Sequence, residues 1–142
     1  MVDQPVVLSQ YFKHPSQKVW YAITDHEKMI QWFFDNIPSF SAEPGFKTRF
    51  IVENEGRVFP HLWEIIEVID GEKITIDWKY EGYKGSSNVT FSIKKKGYGC
   101  ILKVEHLNTS PYDTSIPEFT RESCQGGWDY FIKERLVKYL NK

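Results

Sequence analysis

The chain has 142 residues, with 18 basic and 19 acidic side chains and a formal net charge of −1. That length suits one domain, 1–142, with a single core, and the balanced charge gives neither the basic stripe that nucleic acid requires nor a basic face for an anionic membrane. Two cysteines far apart in sequence, Cys100 and Cys124, argue against a disulfide framework or a metal-binding cysteine cluster, and no apolar run approaches the roughly 20 residues of a membrane helix.

Met1 is followed by Asp3, Gln4 and Pro5 rather than by a basic and then an apolar run, so no secretory leader is expected and the reading is of a soluble cytoplasmic protein. Residues 5–13 read as a first strand, with Val6, Leu8 and Phe12 on one parity. Pro15 opens a short helix whose apolar stripe is Val19, Trp20 and Ile23. Thr24-x-x-Glu27 has the form of a capping box that restarts a helix, loaded with Met29, Ile30, Trp32, Phe33 and Phe34. Pro38 and Glu43-Pro44-Gly45 mark the way out.

A strand-rich stretch follows. Phe46, Thr48, Phe50 and Val52 alternate with polar neighbours, and an apolar run over 61–69 ends at Asp70-Gly71, a hairpin signal. Ile74, Ile76, Trp78 and Tyr80 share one parity, as do Val89, Phe91 and Ile93, then Cys100, Leu102, Val104 and His106. Short turns between such strands predict an antiparallel meander with one apolar face to be covered. Ser115-x-x-Glu118 predicts the start of a covering helix over about 118–140, with Cys124, Trp128, Phe131, Ile132, Leu136 and Leu140 as its buried stripe. Gly126-Gly127 inside it costs about 1 kcal/mol per glycine relative to alanine. Close approach to the sheet, or room for a ligand, would offset that.

Strand, two short helices, meander and long terminal helix form the order of a helix-grip fold. On Val19-Trp20-x-Ala22-Ile23-Thr24-Asp25, Trp32, Pro44-Gly45, Glu67-Val68, Ile74, Trp78 and Gly127-Trp128 with Leu136 and Leu140, the chain resembles the START-like, or SRPBCC, superfamily. Within it the chain is most similar to the domain of the activator of heat-shock protein 90 ATPase. The resemblance implies an α+β fold: a curved antiparallel sheet of six to seven strands wrapped on the long C-terminal helix. It implies relatives that bind lipids or other small molecules, cyclases and aromatases, and chaperone activators. At 142 residues, no extra N-terminal domain like that of the eukaryotic chaperone activator is expected.

A sheet gripping a helix can enclose a cavity, and ligand sites are mostly apolar with a few placed polar groups. Trp32, Phe33, Trp63, Trp78, Tyr80, Phe91, His106 and Trp128 are the candidate ligand-binding residues, with Trp32 and Phe33 at one mouth and Trp128 facing the sheet. Plain core packing is the alternative for each aromatic, and a satisfied strand-end histidine is the alternative for His106. His61 carries the same ambiguity, whereas His14 and His26 read as surface or cap residues. No catalytic, metal or cofactor motif is present: Ser123 and Cys124 lack an evident base, and Glu64 and Glu67, three apart, fall on opposite faces of a regular strand. The expected partner is a hydrophobic or amphipathic small molecule. A chaperone or other protein is the second choice, and a cyclase or dehydratase with His106 or Tyr80 as proton donor is the third. The expected state is a monomer or weak dimer, with no membrane insertion.

Overall fold

The structure, a computed structural model, describes residues 4–142. In chain order the elements are β1 (Val6–Phe12), α1 (Ser16–Thr24), α2 (His26–Trp32), β2 (Lys47–Asn54), β3 (Arg57–Ile69), β4 (Lys73–Tyr80), β5 (Ser86–Lys96) and β6 (Gly99–Ser110). A 3-10 turn (Pro117–Phe119) leads into a C-terminal helix of 20 residues, 121–140. The six strands form one antiparallel sheet in the order β1-β6-β5-β4-β3-β2. The helix-grip architecture expected from the element order is the one observed. Among the described residues no helix is long and apolar enough to cross a membrane.

Period-two alternation builds the inner face. Ile74, Ile76 and Trp78 of β4, Val89, Phe91 and Ile93 of β5, and Cys100, Leu102 and Val104 of β6 are all buried. The C-terminal helix covers them with Trp128, Ile132, Leu136 and Leu140, also buried. A strict four-residue repeat drifts off the face of an ideal helix with 3.6 residues per turn. Here the helix passes from α3 (Arg121–Trp128) through a π-helical stretch (Asp129–Leu136) to α4 (Val137–Leu140). The wider π turns counter the drift and keep all four side chains on the sheet.

Four local expectations are corrected. Thr24 does not cap α2: it is the last residue of α1, its hydroxyl donates to the Trp20 carbonyl at 2.7 Å, and α2 starts after Asp25 with no side-chain cap. Ser115 does not cap the C-terminal helix, because Asp113 takes both its N–H and its hydroxyl, at 3.0 and 2.6 Å. The cap is Thr120, whose hydroxyl accepts the Ser123 N–H at 3.2 Å, so the helix starts at Arg121. Phe33 and Phe34 lie beyond the end of α2, where the backbone leaves the helix at Phe33 and both rings turn inward instead of spreading around a helix. Glu64 and Glu67 share the outer face, opposite Asp77 and Thr75, because a bulge between Ile65 and Glu67 inserts one residue and flips the parity.

Gly99 punctuates a turn, but its packing role is larger. A Cβ there would collide with the Phe12 carbonyl oxygen and the Tyr11 hydroxyl of β1. Only glycine lets β1 pair with the start of β6 at Phe12 and Cys100.

Candidate functional site: a cavity between sheet and helix

A cavity of about 180 Å³ lies between the inner face of the sheet and the C-terminal helix. Trp78 and Tyr80 come to it from β4, His106 from β6, Phe33 from the end of α2, and Trp128 and Phe131 from the C-terminal helix. Tyr112 and Phe119, on the segment between β6 and that helix, close its outer end, and exposed Gln4, Arg121 and Ser123 mark the mouth. The wall is aromatic: Trp78 meets Trp128 at 5.7 Å, and Phe33 meets Phe131 edge-on at 4.8 Å.

Gly127 also lines the cavity, and a Cβ on Gly126 or Gly127 would meet nothing within 4 Å. Close approach to the sheet is therefore not what the glycine pair provides. At Gly127 the missing side chain leaves open space on the cavity wall.

One hydrogen-bonded chain crosses the floor. The Trp128 indole N–H donates to His106 Nδ1 at 3.0 Å. An indole nitrogen can only donate, so Nδ1 holds a lone pair and the proton sits on Nε2, which donates to Ser87 Oγ at 3.0 Å. Ser87 in turn donates to the Trp78 carbonyl at 2.9 Å, which the Tyr112 hydroxyl reaches at 3.0 Å. The Cys124 thiol sits 3.4 Å from the same Nδ1. Burial lowers the pKa of His106 to about 4, so its ring is neutral at pH 7. Burial pushes Tyr112 up to about 12 and Cys124 up to about 11, and it raises Tyr80 well above the usual tyrosine range. The thiol is not a thiolate nucleophile, and His106 is not an imidazolium acid. The floor is polar but uncharged.

The charged groups are at the edge and are already matched. Glu118, on the 3-10 turn, accepts from Arg57 at 2.8 Å and from Asn54 at 2.6 Å. The Arg57 guanidinium holds the Glu118 carboxyl down at about 2. Arg121 donates to the carbonyls of Gln4 and Pro5 at 2.6 and 3.1 Å.

Of the eight residues singled out from the sequence, Phe33, Trp78, Tyr80, His106 and Trp128 line the cavity. Trp32, Trp63 and Phe91 do not. Trp32 is fully buried behind Phe33, stacked on it at 4.8 Å, with its indole N–H on the Ala22 carbonyl at 2.7 Å. Trp63 packs between Phe50 and Trp78, each at 4.8 Å, and Phe91 lies under Trp128 at 5.6 Å. His61 is buried, donates from Nδ1 to the Phe59 carbonyl at 2.9 Å, and has its pKa lowered to about 4 by burial. His14 bonds Asn141 near the surface, and His26 reaches back to the Ile37 carbonyl. Tyr112, Phe119, Ser87 and Phe34 belong to the site and were missed. The segment carrying Tyr112 and Phe119 has no periodicity, and Ser87 is the second residue of a strand whose other inner residues are apolar.

Residues 13–141 match the model of a family described as Activator of Hsp90 ATPase homolog 1-like protein. The chain belongs to that family. Solved structures of similar fold include DynU16, from the dynemicin biosynthetic locus, with a TM-score of 0.77 and 23% identity, over 99% of this chain and 48% of that one. This chain thus spans about half of that longer protein. A protein from Mesorhizobium loti superposes with a TM-score of 0.78 at 21% identity, covering 97% of both chains. An Hsp90 activator from Plasmodium falciparum gives a TM-score of 0.75 at 17% identity, over 98% of this chain and 97% of its own. At these identities the likeness is one of fold. Among curated proteins, none is significantly similar in sequence to this member of the Hsp90-activator-like family.

Proposed function

We propose that this protein binds a small, mostly apolar molecule, about the size of one aromatic ring, in the cavity between the sheet and the C-terminal helix. The observation that carries the reading is a space of about 180 Å³ walled by aromatic rings and kept open by the absent side chain of Gly127. That volume is slightly larger than the roughly 150 Å³ cavity that accommodates benzene in a protein interior, and it is smaller than the pockets of roughly 300–1,000 Å³ that take drug-sized ligands. A long acyl chain or a multi-ring polyketide does not fit this state. A single ring buries on the order of 200 Å², about 5 kcal/mol gross, before the costs of association. Millimolar to high micromolar affinities follow. A panel of single-ring aromatics, followed by ligand-observed NMR, tests this. Gly127→Leu, which fills the open space, should abolish binding. Absence of binding by the native protein, or equal binding by the variant, rejects the reading.

A second reading rests on the family match and on the fold shared with the Plasmodium falciparum Hsp90 activator. Here the protein acts on a chaperone through its outer surface. Trp32 is too deeply buried to take part. Stimulation of the chaperone ATPase by purified protein supports this reading, and an unchanged rate counts against it. An enzymatic reading with His106 as acid finds no support, because the ring is neutral and both its nitrogens are engaged.

A further inference from the structure

Tyr80 carries the cavity hydroxyl whose proton, among the described residues, is left over. Its hydroxyl accepts the Trp78 indole N–H at 2.9 Å. Among the described residues nothing lies in position to accept the hydroxyl's own hydrogen. The hydrogen-bonding groups of the floor are committed elsewhere. His106 gives its single N–H to Ser87, Ser87 gives its proton to the Trp78 carbonyl, and Tyr112 gives its own to that carbonyl or to Ser87. The rings around Tyr80 are apolar or neutral: Phe59, Tyr83 and Phe119 on one side, His61 edge-on at 4.7 Å on another.

A donor enclosed in this way needs an acceptor. Within the cavity water can supply one. A ligand that displaces the water without replacing its hydrogen bond loses affinity, and one that brings an oxygen to the same point keeps it. That oxygen must be uncharged, because an anion buried beside a neutral histidine, a thiol and a single hydroxyl has no counter-charge. Arg121, at the mouth, is held by backbone carbonyls, and Arg57 by Glu118.

We propose that Tyr80 sets the specificity of the cavity by donating its hydroxyl proton to a neutral carbonyl oxygen, so that the ligand class is compact aromatic ketones, aldehydes or esters rather than the corresponding hydrocarbons or carboxylates. This rests on the cavity-binding reading and adds the chemistry of its contents.

The test pairs acetophenone with isopropylbenzene, close in shape but without the acceptor, and measures the ratio of their dissociation constants in the native protein and in Tyr80→Phe. The ratio should fall about tenfold in the variant, in favour of the hydrocarbon. Tyr21→Phe, on α1 and away from the cavity, should leave it unchanged. Benzoate at pH 7 should bind more weakly than acetophenone. If Tyr80→Phe does not fold, the infrared carbonyl stretch of acetophenone bound to the native protein supplies the answer. A shift to lower wavenumber marks the hydrogen bond, and a stretch like that in hydrocarbon solvent overturns the proposal. An unchanged ratio, or benzoate binding more tightly, also overturns it while leaving the cavity reading intact. If neither acetophenone nor isopropylbenzene binds, the cavity reading itself fails and this inference falls with it.

Discussion

Trp128 fixes the tautomer of His106. The indole N–H approaches Nδ1 at 3.0 Å, and this contact is attractive only while that nitrogen has a lone pair. Protonating the imidazole would set one N–H against another and strand a charge among aromatic rings. The bond between β6 and the C-terminal helix, 22 residues apart in sequence, thus depends on a neutral histidine.

Stability should therefore fall in mild acid. His61 and His106 both have folded pKa values of about 4 against an ordinary 6.5. Between these values the unfolded chain binds protons that the folded one refuses, so unfolding becomes easier as pH drops from 6.5 towards 4. The loss is at most about 3 kcal/mol for each histidine. Glu118 adds a second window of the same sign: its stabilising contribution is complete above about 4.5 and disappears as pH falls through about 2. Urea midpoints at pH 7.5, 5.5 and 4.5 should decrease in that order, and a flat series would contradict the histidine burial.

The two helix glycines should separate stability from function. Replacing either by alanine relieves a helix-propensity penalty of up to about 1 kcal/mol, and neither new methyl meets an obstacle. Gly126→Ala and Gly127→Ala should each raise the melting temperature. Only Gly127 lines the cavity, so only its variant should weaken binding of a single-ring ligand. Titration of both variants with the same compound checks this.

Gly99→Ala should be among the most damaging small changes in the chain. Its methyl would enter the space of the Phe12 carbonyl, a backbone atom that cannot turn away. Overpacking costs about 1–3 kcal/mol where side chains can adjust, and here the loss should reach the top of that range or exceed it. Denaturant unfolding measures it directly. A loss below about 1 kcal/mol would show that β1 can shift.

Much of the fold was readable because it follows from period and punctuation. The alternation in β4 to β6 and the apolar stripe of the C-terminal helix each specify a face, and faces assemble in few ways. The errors share a cause: capping groups were assigned by spacing, while Thr24 and Ser115 found nearer partners in Trp20 and Asp113. The bulge at Ile66 leaves no mark that spacing rules can see. For the site, parity could say that Trp63, Phe91 and Tyr80 all point inward, but not which of them borders empty space. That depends on volumes summed over several elements. Tyr112 lay outside every periodic segment.

The segment between β6 and the C-terminal helix should behave as a latched cover. Glu118 pins it to Arg57 and Asn54 on the β2–β3 hairpin, while Phe119 rests on Tyr80 at 5.1 Å. Glu118→Gln weakens the latch and leaves the aromatic packing alone. Amide hydrogen exchange over residues 112–119 should speed up several-fold in the variant, with the strands unaffected. Uniform acceleration across the protein would instead indicate a global loss of stability.

The pairing of Val6 with His106 and of Phe12 with Cys100 makes the first strand wait for the last. On the ribosome β1 emerges before the other strands, yet its neighbour in the sheet among the described residues, β6, is made about a hundred residues later. At roughly 5–20 residues per second that is a delay of several seconds or more. During it Val6, Leu8 and Phe12 have no sheet to join, although the β2–β5 meander can already form. The sheet is thus completed only after β6 has been made. Completion of the sheet consequently waits for β1 to dock onto β6.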